Sequence, residues 1–234
     1  IGGSEDVTLH KTDSKGKIQW SELYDNSSDW GSSLAQAKDG GYMLCGSTGN
    51  QLLWIIKTDE NGNEKWNKTL GKTIRFPNTI ISTSDDSYLI CTTKSSDFYL
   101  IKIDSEANIL LEEEYGGPER EIAYSIDKTN DGGYILSGST SSFNAQRTDG
   151  YLVKTDSLGV QEWEKIFGTV DDERLYSVKQ TSDHGYVAAG TTGRQNYGYG
   201  WEDIYVVKTD SLGNQEWQKT IKLSQWDNAW SIAE

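Results

Sequence analysis

Proline and cysteine are scarce in this chain of 234 residues: there are two of each, with one methionine and two histidines. So few cysteines exclude a disulfide-stapled scaffold. His10 and His184 stand in no spacing that builds a His/Cys metal cluster. No apolar run approaches the roughly 18 residues that cross a bilayer as a helix, and no secretory or transit pattern is visible. Basic residues are outnumbered, 22 Lys and Arg against 36 Asp and Glu, for a formal charge of −14. That balance argues against nucleic acid and anionic membrane surfaces as partners, because both are held by basic patches. Glycine and aromatics are plentiful instead: 24 Gly, 13 Tyr and nine Trp. With no long helix-forming run, this is the composition of an all-β protein, long enough to bury a substantial core as a single domain over 1–234.

The sequence repeats itself. Lys-Thr-Asp or a near match stands at Lys11–Asp13, Lys57–Asp59, Lys102–Asp104, Lys154–Asp156 and Lys208–Asp210, in steps of 46, 45, 52 and 54 residues. Gly16, Gly62, Gly159 and Gly213 follow the Asp, and Trp20, Trp66, Trp163 and Trp217 follow the glycines; the third copy has Ala107 and Leu111 in these places. A second anchor precedes the first, as Asp39–Tyr42 and Asp131–Tyr134 (DGGY), with variants DDSY at Asp85–Tyr88 and DHGY at Asp183–Tyr186. A period this long with strand-like content marks a repeat architecture.

Each repeat reads as four strands. In the copy AYSIDKT–NDGG–YILSGST…DGYLVKTD–SLG–VQEWEKIF, Asp-Gly-Gly and Asp-x-x-Gly supply the left-handed positions of tight hairpins. The third strand is apolar on both faces, as in Phe98-Tyr99-Leu100-Ile101 and Ile204-Tyr205-Val206-Val207, so it is expected to be covered on both sides. An antiparallel four-stranded sheet covered on both faces and repeated about five times is a propeller blade.

On these motifs the chain resembles the Asp-Gly-Gly-Tyr / Lys-Thr-Asp-x-x-Gly-Asn-x-x-Trp β-propeller repeats found in surface and secreted proteins of archaea and bacteria. The resemblance covers nearly the whole chain. It implies an all-β, five-bladed β-propeller of four-stranded antiparallel blades and an extracellular or cell-surface setting. The fit is poorest at Ser87, Ala107 and Leu111, where a looser turn and a smaller anchor are expected. The tripeptides Asn26-Ser27-Ser28 and Asn67-Lys68-Thr69 match the glycosylation pattern and point the same way.

Residues that recur in every repeat answer a structural need. The Trp is expected to wedge each outer strand against the next blade, and the Lys to make a structural Lys–Asp or Lys–backbone contact. Cys45 and Cys91 share a site held by Ser137 and Ala189 in later repeats, so a small residue belongs there. Facing sheets pack about 10 Å apart, too far for a bridge, so two free buried thiols are expected. His10 takes a third-strand position held by Ile56, Ile101, Val153 and Val207, and is expected to be partly buried. No Ser/His/Asp or Cys/His arrangement and no calcium-loop spacing stands out. The acids fall mostly in repeated turns, so the sequence names no catalytic residue, metal ligand or cofactor.

Function is therefore sought where repeats diverge. The turns after the first and third strands are uniform; the loops on the opposite face are not. Two are expanded, Ser141–Gly150 with Phe143 and Arg147, and Gly193–Asp203 with Tyr197, Tyr199 and Trp201. The connections between repeats bring Trp30, Arg75, Phe76, Arg120, Arg174 and Trp226 to the same face, and Tyr124, Tyr176 and Trp230 begin the first strands. Arg and aromatic side chains dominate binding hot spots, and aromatic faces also suit sugar rings. The expected function is a non-catalytic binding module of a surface or secreted protein. It would engage a protein partner through this face or, alternatively, carbohydrate through the aromatic loops.

The ends fit one blade. Ile1–Ser4 aligns with Leu136–Ser139, and the final AWSIAE aligns with AYSIDK. A blade shared between 1–24 and 229–234 would close a ring whose other blades span about 30–70, 76–115, 122–167 and 174–221. That shared blade lacks a counterpart of TNDGGYI, most of a second strand.

Overall fold

The computed structural model describes residues 7–24, 30–75, 79–145, 147–194, 201–223 and 227–233, with the side chains of Arg194 and Trp201 also outside the description. It is all-β. β1 (Val7–Thr12) and β2 (Ile18–Tyr24) form a two-stranded sheet. Four four-stranded sheets follow. The second holds β3 (Trp30–Gln36), β4 (Tyr42–Ser47), β5 (Leu52–Thr58) and β6 (Glu64–Thr73). The third holds β7 (Thr79–Ser82), β8 (Tyr88–Lys94), β9 (Asp97–Ile103) and β10 (Ile109–Tyr115). The fourth holds β11 (Glu121–Lys128), β12 (Tyr134–Thr140), β13 (Asp149–Thr155) and β14 (Gln161–Phe167), and the fifth holds β15 (Asp172–Gln180), β16 (Tyr186–Arg194), β17 (Trp201–Thr209) and β18 (Gln215–Ile221). Strands in each sheet neighbour one another in chain order. The chain divides into two compact units, 1–95 with 101–112, and 96–100 with 113–234.

The two anchors build each sheet in the same way. The Asp of Lys-Thr-Asp turns its Oδ1 onto the N–H groups two and four residues ahead, as Asp59 does to Asn61 and Asn63 at 2.8 and 2.9 Å. Gly62 then sits at φ 86°. Ala107 accepts the same left-handed conformation, φ 59°, and its N–H still reaches Asp104 O at 3.1 Å. The third copy therefore keeps its turn, with strain in place of looseness. The expected Lys–Asp contact joins the two anchors: Lys57 to Asp39, Lys102 to Asp85 and Lys154 to Asp131 at 2.8 Å, and Lys208 to Asp183 at 2.9 Å. Each ties a third strand to the turn that joins the first and second strands of its sheet.

The core follows the third strands. β13 is buried at every position and β5 at all but Leu52. The recurring Trp packs against the Tyr of the following DGGY anchor: Trp20 meets Tyr42 edge-on at 6.0 Å, and Trp163 meets Tyr186 at 5.5 Å. Gly62 and Gly213 pass under these rings so closely that a Cβ would lie within 2.7 and 2.8 Å of an indole carbon. Trp217, by contrast, is 47% exposed. Cys45 and Cys91 are free and buried.

Two expectations are corrected. His10 is exposed rather than partly buried, bonded to Ser21 Oγ at 2.8 Å. Val7 and Leu9 turn into the core while Thr8 and His10 turn out, so the polar alternate positions of β1 face solvent. Residues 227–233 form no strand. They have no second-strand neighbour among the described residues, yet they stand in the place of a first strand. Ile232 N–H donates to Ser177 Oγ at 3.2 Å, as Ile80 N–H does to Ser33 Oγ.

Candidate functional site

The first strands of the fourth and fifth sheets and the C-terminal segment carry equivalent aromatics, Tyr124, Tyr176 and Trp230. They form a continuous row. Tyr124 and Tyr176 meet edge-on at 4.8 Å, and Tyr176 and Trp230 stack at 4.5 Å with 20° between their planes. Trp230 remains 70% exposed. Burial raises the Tyr124 phenol, opposed by the nearby Arg174 and Arg120 guanidiniums and by hydrogen bonds from Ser139 and Arg174. Burial, and then Tyr124, push the Tyr176 phenol up to about 12. Both tyrosines are therefore neutral at physiological pH, and the charges that act on them are those of Arg120 and Arg174 and, at Tyr176, the Glu202 carboxylate. Arg120 is exposed, Arg174 half-buried, and neither makes an ion pair among the described residues. The two guanidiniums thus lie beside the tyrosine end of the aromatic row, Arg120 and Arg174 at Tyr124 and Arg174 at Tyr176.

The other expected ligand residues are placed differently. Arg147 is committed to Asp172, Nε to Oδ1 at 3.2 Å. Phe143 is half-buried, tilted against Tyr151 at 5.6 Å. Arg75 is exposed but belongs to the other compact unit, where its N–H donates to Thr93 O. Phe76, Tyr197, Tyr199 and Trp226 lie outside the described residues, as does the side chain of Trp201.

Sequence reasoning missed a set of buried carboxyls at the starts of the first strands. Glu121 and Glu173 are fully buried. Glu121 accepts from Thr140 Oγ1 at 2.6 Å and Gly117 N–H at 3.0 Å, and Glu173 accepts from Thr192 and from Thr169 Oγ1 and N–H. Asp227 repeats the device, taking the Leu223 N–H at 2.8 Å. Glu121 is also hydrogen-bonded to Asp97, whose pKa is raised by burial and by Glu121. Burial, then Glu173 and Asp172, push the Asp149 carboxyl up to about 6, and its Oδ1 has no hydrogen-bond partner among the described residues. The signal was present as an acid three residues before each row aromatic: Glu121 and Tyr124, Glu173 and Tyr176, Asp227 and Trp230. Its recurrence marks these carboxyls as part of the framework. No group of three His, Cys, Asp or Glu side chains among the described residues is placed to hold a metal ion.

No family model and no curated protein matches the chain. Solved structures do. The fold is similar to that of the Dos1 propeller, at 18% identity and a TM-score of 0.55, over 91% of this chain and 51% of the other. An endo-arabinase from Bacteroides thetaiotaomicron aligns at 14% identity and a TM-score of 0.48, over 80% of this chain and 78% of that one. A protein of unknown function from Bacteroides caccae aligns at 14% identity and 0.42, over 88% and 86%. Likeness at these identities is of fold alone. The chain has a propeller-type, all-β architecture.

Proposed function

We propose that this chain is a five-bladed β-propeller, closed by strands from both ends in a shared blade, and that it is a non-catalytic binding module of a cell-surface or secreted protein. The ring reading is supported by the four complete sheets, by the two-stranded sheet of third- and fourth-strand type, and by the first-strand position of residues 227–233. The partner is a protein that presents an acidic side chain beside an aromatic or aliphatic one.

The observation that carries this reading is the row Tyr124–Tyr176–Trp230 with Arg120 and Arg174 at its side. Trp, Tyr and Arg are the residues in which interface binding energy concentrates. The carbohydrate alternative rests on Tyr197, Tyr199 and Trp201, whose side chains lie outside the described residues.

A displayed random-peptide library selected on the folded chain, and counter-selected on the Arg120→Ala/Arg174→Ala double variant, tests it. Enriched peptides should carry Asp or Glu next to an aromatic residue and lose about tenfold or more in affinity with either single variant. Peptides that bind wild type and double variant equally would sink this reading. Glycan-array binding abolished by Trp201→Ala would replace it with the carbohydrate one.

A further inference from the structure

A cavity of about 500 Å³ lies at the rim of the fifth sheet. Its wall comes from the β14–β15 connection (Thr169, Val170 and Asp171), the end of β16 (Thr192), the start of β17 (Asp203) and Lys222 just after β18, among others. All of these belong to one compact unit. None is a member of the row Tyr124–Tyr176–Trp230 or one of its arginines.

The hydrogen bonds of the wall decide what it can offer. Thr192 Oγ1 and Thr169 Oγ1 both donate to the fully buried Glu173, the latter at 2.6 Å. A hydroxyl has one proton, so towards a ligand these two can only accept. Thr169 Oγ1 also takes the Asp171 N–H at 3.2 Å, which leaves it little further capacity. The Asp171 and Asp203 carboxylates are acceptors by nature. Among the lining side chains, only the Thr220 hydroxyl and the Lys222 ammonium can donate. The ammonium is turned to Asp203, Nζ to Oδ2 at 3.0 Å, on a side chain that is 74% exposed. The cavity thus presents mostly acceptors, two of them anionic, against one cation.

Charge behind the wall has the same sign. Asp149 packs against Gly168, the residue before Thr169; a Cβ on Gly168 would lie 2.3 Å from the Asp149 Cγ. Asp149 is 8% exposed, and its Oδ1 has no hydrogen-bond partner among the described residues. Glu173 and Asp172, which act on it electrostatically, are buried acids too. Arg147 is ion-paired with Asp172 alone. Negative charge is therefore in excess around this cavity, in a chain whose formal charge is −14. Such a field draws a cation, whereas a neutral polyol gains nothing from it. Val170 adds an apolar flank: it lines the cavity and is 58% exposed.

We propose that this cavity binds a primary ammonium carried on an alkyl chain, supplied by a free polyamine or by a lysine side chain of a partner protein. The ammonium has three N–H donors and no acceptor, the complement of a wall built from Asp171, Asp203 and Thr192. Its methylenes lie along Val170, as long amines lay their stems on apolar surface. Lys222 is then a competitor, holding Asp203 until the ligand displaces it. The site shares no residue with the aromatic–arginine patch, so failure of either leaves the other standing.

Calorimetric titration of the full chain with spermidine, and separately with acetyl-Gly-Lys-Gly-amide, tests the proposal. Saturable binding of at least one probe is expected, and the tighter of the two names the source. Acetyl-Gly-norleucine-Gly-amide, which keeps the alkyl chain and drops the charge, should not bind. Asp171→Asn and Asp203→Asn should each weaken binding about tenfold. Lys222→Met should strengthen it several-fold, an effect of opposite sign that a damaged fold would not produce. Failure of both probes to saturate would overturn the proposal. So would binding indifferent to the two aspartate substitutions, which marks general attraction to an acidic surface, or binding weakened by Lys222→Met.

Discussion

Lys154 Nζ lies 2.8 Å from Asp131 Oδ2 and 2.7 Å from Glu162 Oε2, while the Lys154 side chain is only 2% exposed. A buried ammonium is tolerable only while its partners remain, so removing one partner costs more than the pair contributes. Asp131→Ala should destabilise the chain by about 1–3 kcal/mol, and Lys154→Met, which removes the charge and keeps the volume, by less than about 1.5 kcal/mol. Urea unfolding of the two variants checks the order. Burial raises the Asp131 carboxyl, but hydrogen bonds from Lys154 and Thr129 outweigh it and hold the pKa at about 2. A depressed carboxylate stabilises the fold above its unfolded pKa near 3.9 and loses that contribution as pH falls towards 2. Asp131→Ala should therefore flatten the acid limb of the stability curve.

Asp149 should act in the opposite sense. Its folded pKa, pushed up to about 6 by burial and then by Glu173 and Asp172, lies above the unfolded value. The folded state then binds the extra proton, so stability falls as pH rises from about 4 to about 6 and stays lowered above it. Asp149 is 8% exposed, and a difference of about two pKa units corresponds to roughly 2–3 kcal/mol. Asp149→Asn should be more stable than the parent at pH 7.5 by up to that amount and close to it at pH 4. Urea midpoints at the two pH values measure it; equal shifts at both would count against a titrating Asp149.

Ala107 and His184 hold left-handed conformations, φ 59° and 66°, where other repeats place glycine. A side chain there costs about 1 kcal/mol. Ala107→Gly and His184→Gly should each raise stability by about 0.5–1 kcal/mol after allowance for the freer unfolded chain. Calorimetry should show a higher Tm for both.

The thiols should be inert. Burial pushes the Cys45 thiol up to about 12 and raises Cys91 as well. Only the thiolate reacts at a useful rate. A disulfide reagent added to the native chain at pH 8 should find almost no reactive thiol, and should find both after denaturation.

Much of this molecule was legible before its coordinates. Asp39 and Lys57 are separated by a strand and a loop, yet their recurrence predicted a structural contact, because a charge kept in every repeat must meet a need every repeat has. The turns, the buried third strands and the free thiols follow from the same logic. The site was legible only in part. Arg120, Arg174 and Trp230 come together with the row tyrosines, but Arg147 and Phe143 are spent on Asp172 and Tyr151. An Arg in a loop looks the same in sequence whether or not a carboxylate waits beside it. The buried Glu121 and Glu173 were hidden for a related reason: in an acidic chain an isolated Glu reads as surface, and only its fixed distance from an aromatic betrays it. Trp217 carries a further lesson. Its motif promised burial, but burial depends on a tyrosine from the following sheet, which Trp20 and Trp163 have in Tyr42 and Tyr186.

The Lys–Asp latch closes within a single sheet, and the Trp–Tyr contacts of Trp20 with Tyr42 and Trp163 with Tyr186 each run from one sheet to the next. A gene segment encoding a sheet such as the fourth therefore carries a complete latch, a forward-facing Trp and a DGGY tyrosine of the kind that receives one. Copying such a segment in frame adds a unit whose two neighbours already know how to hold it. Diversity can then accumulate in the loops while the framework changes only in number, and lineages of such proteins should differ by whole repeats more readily than by parts of one.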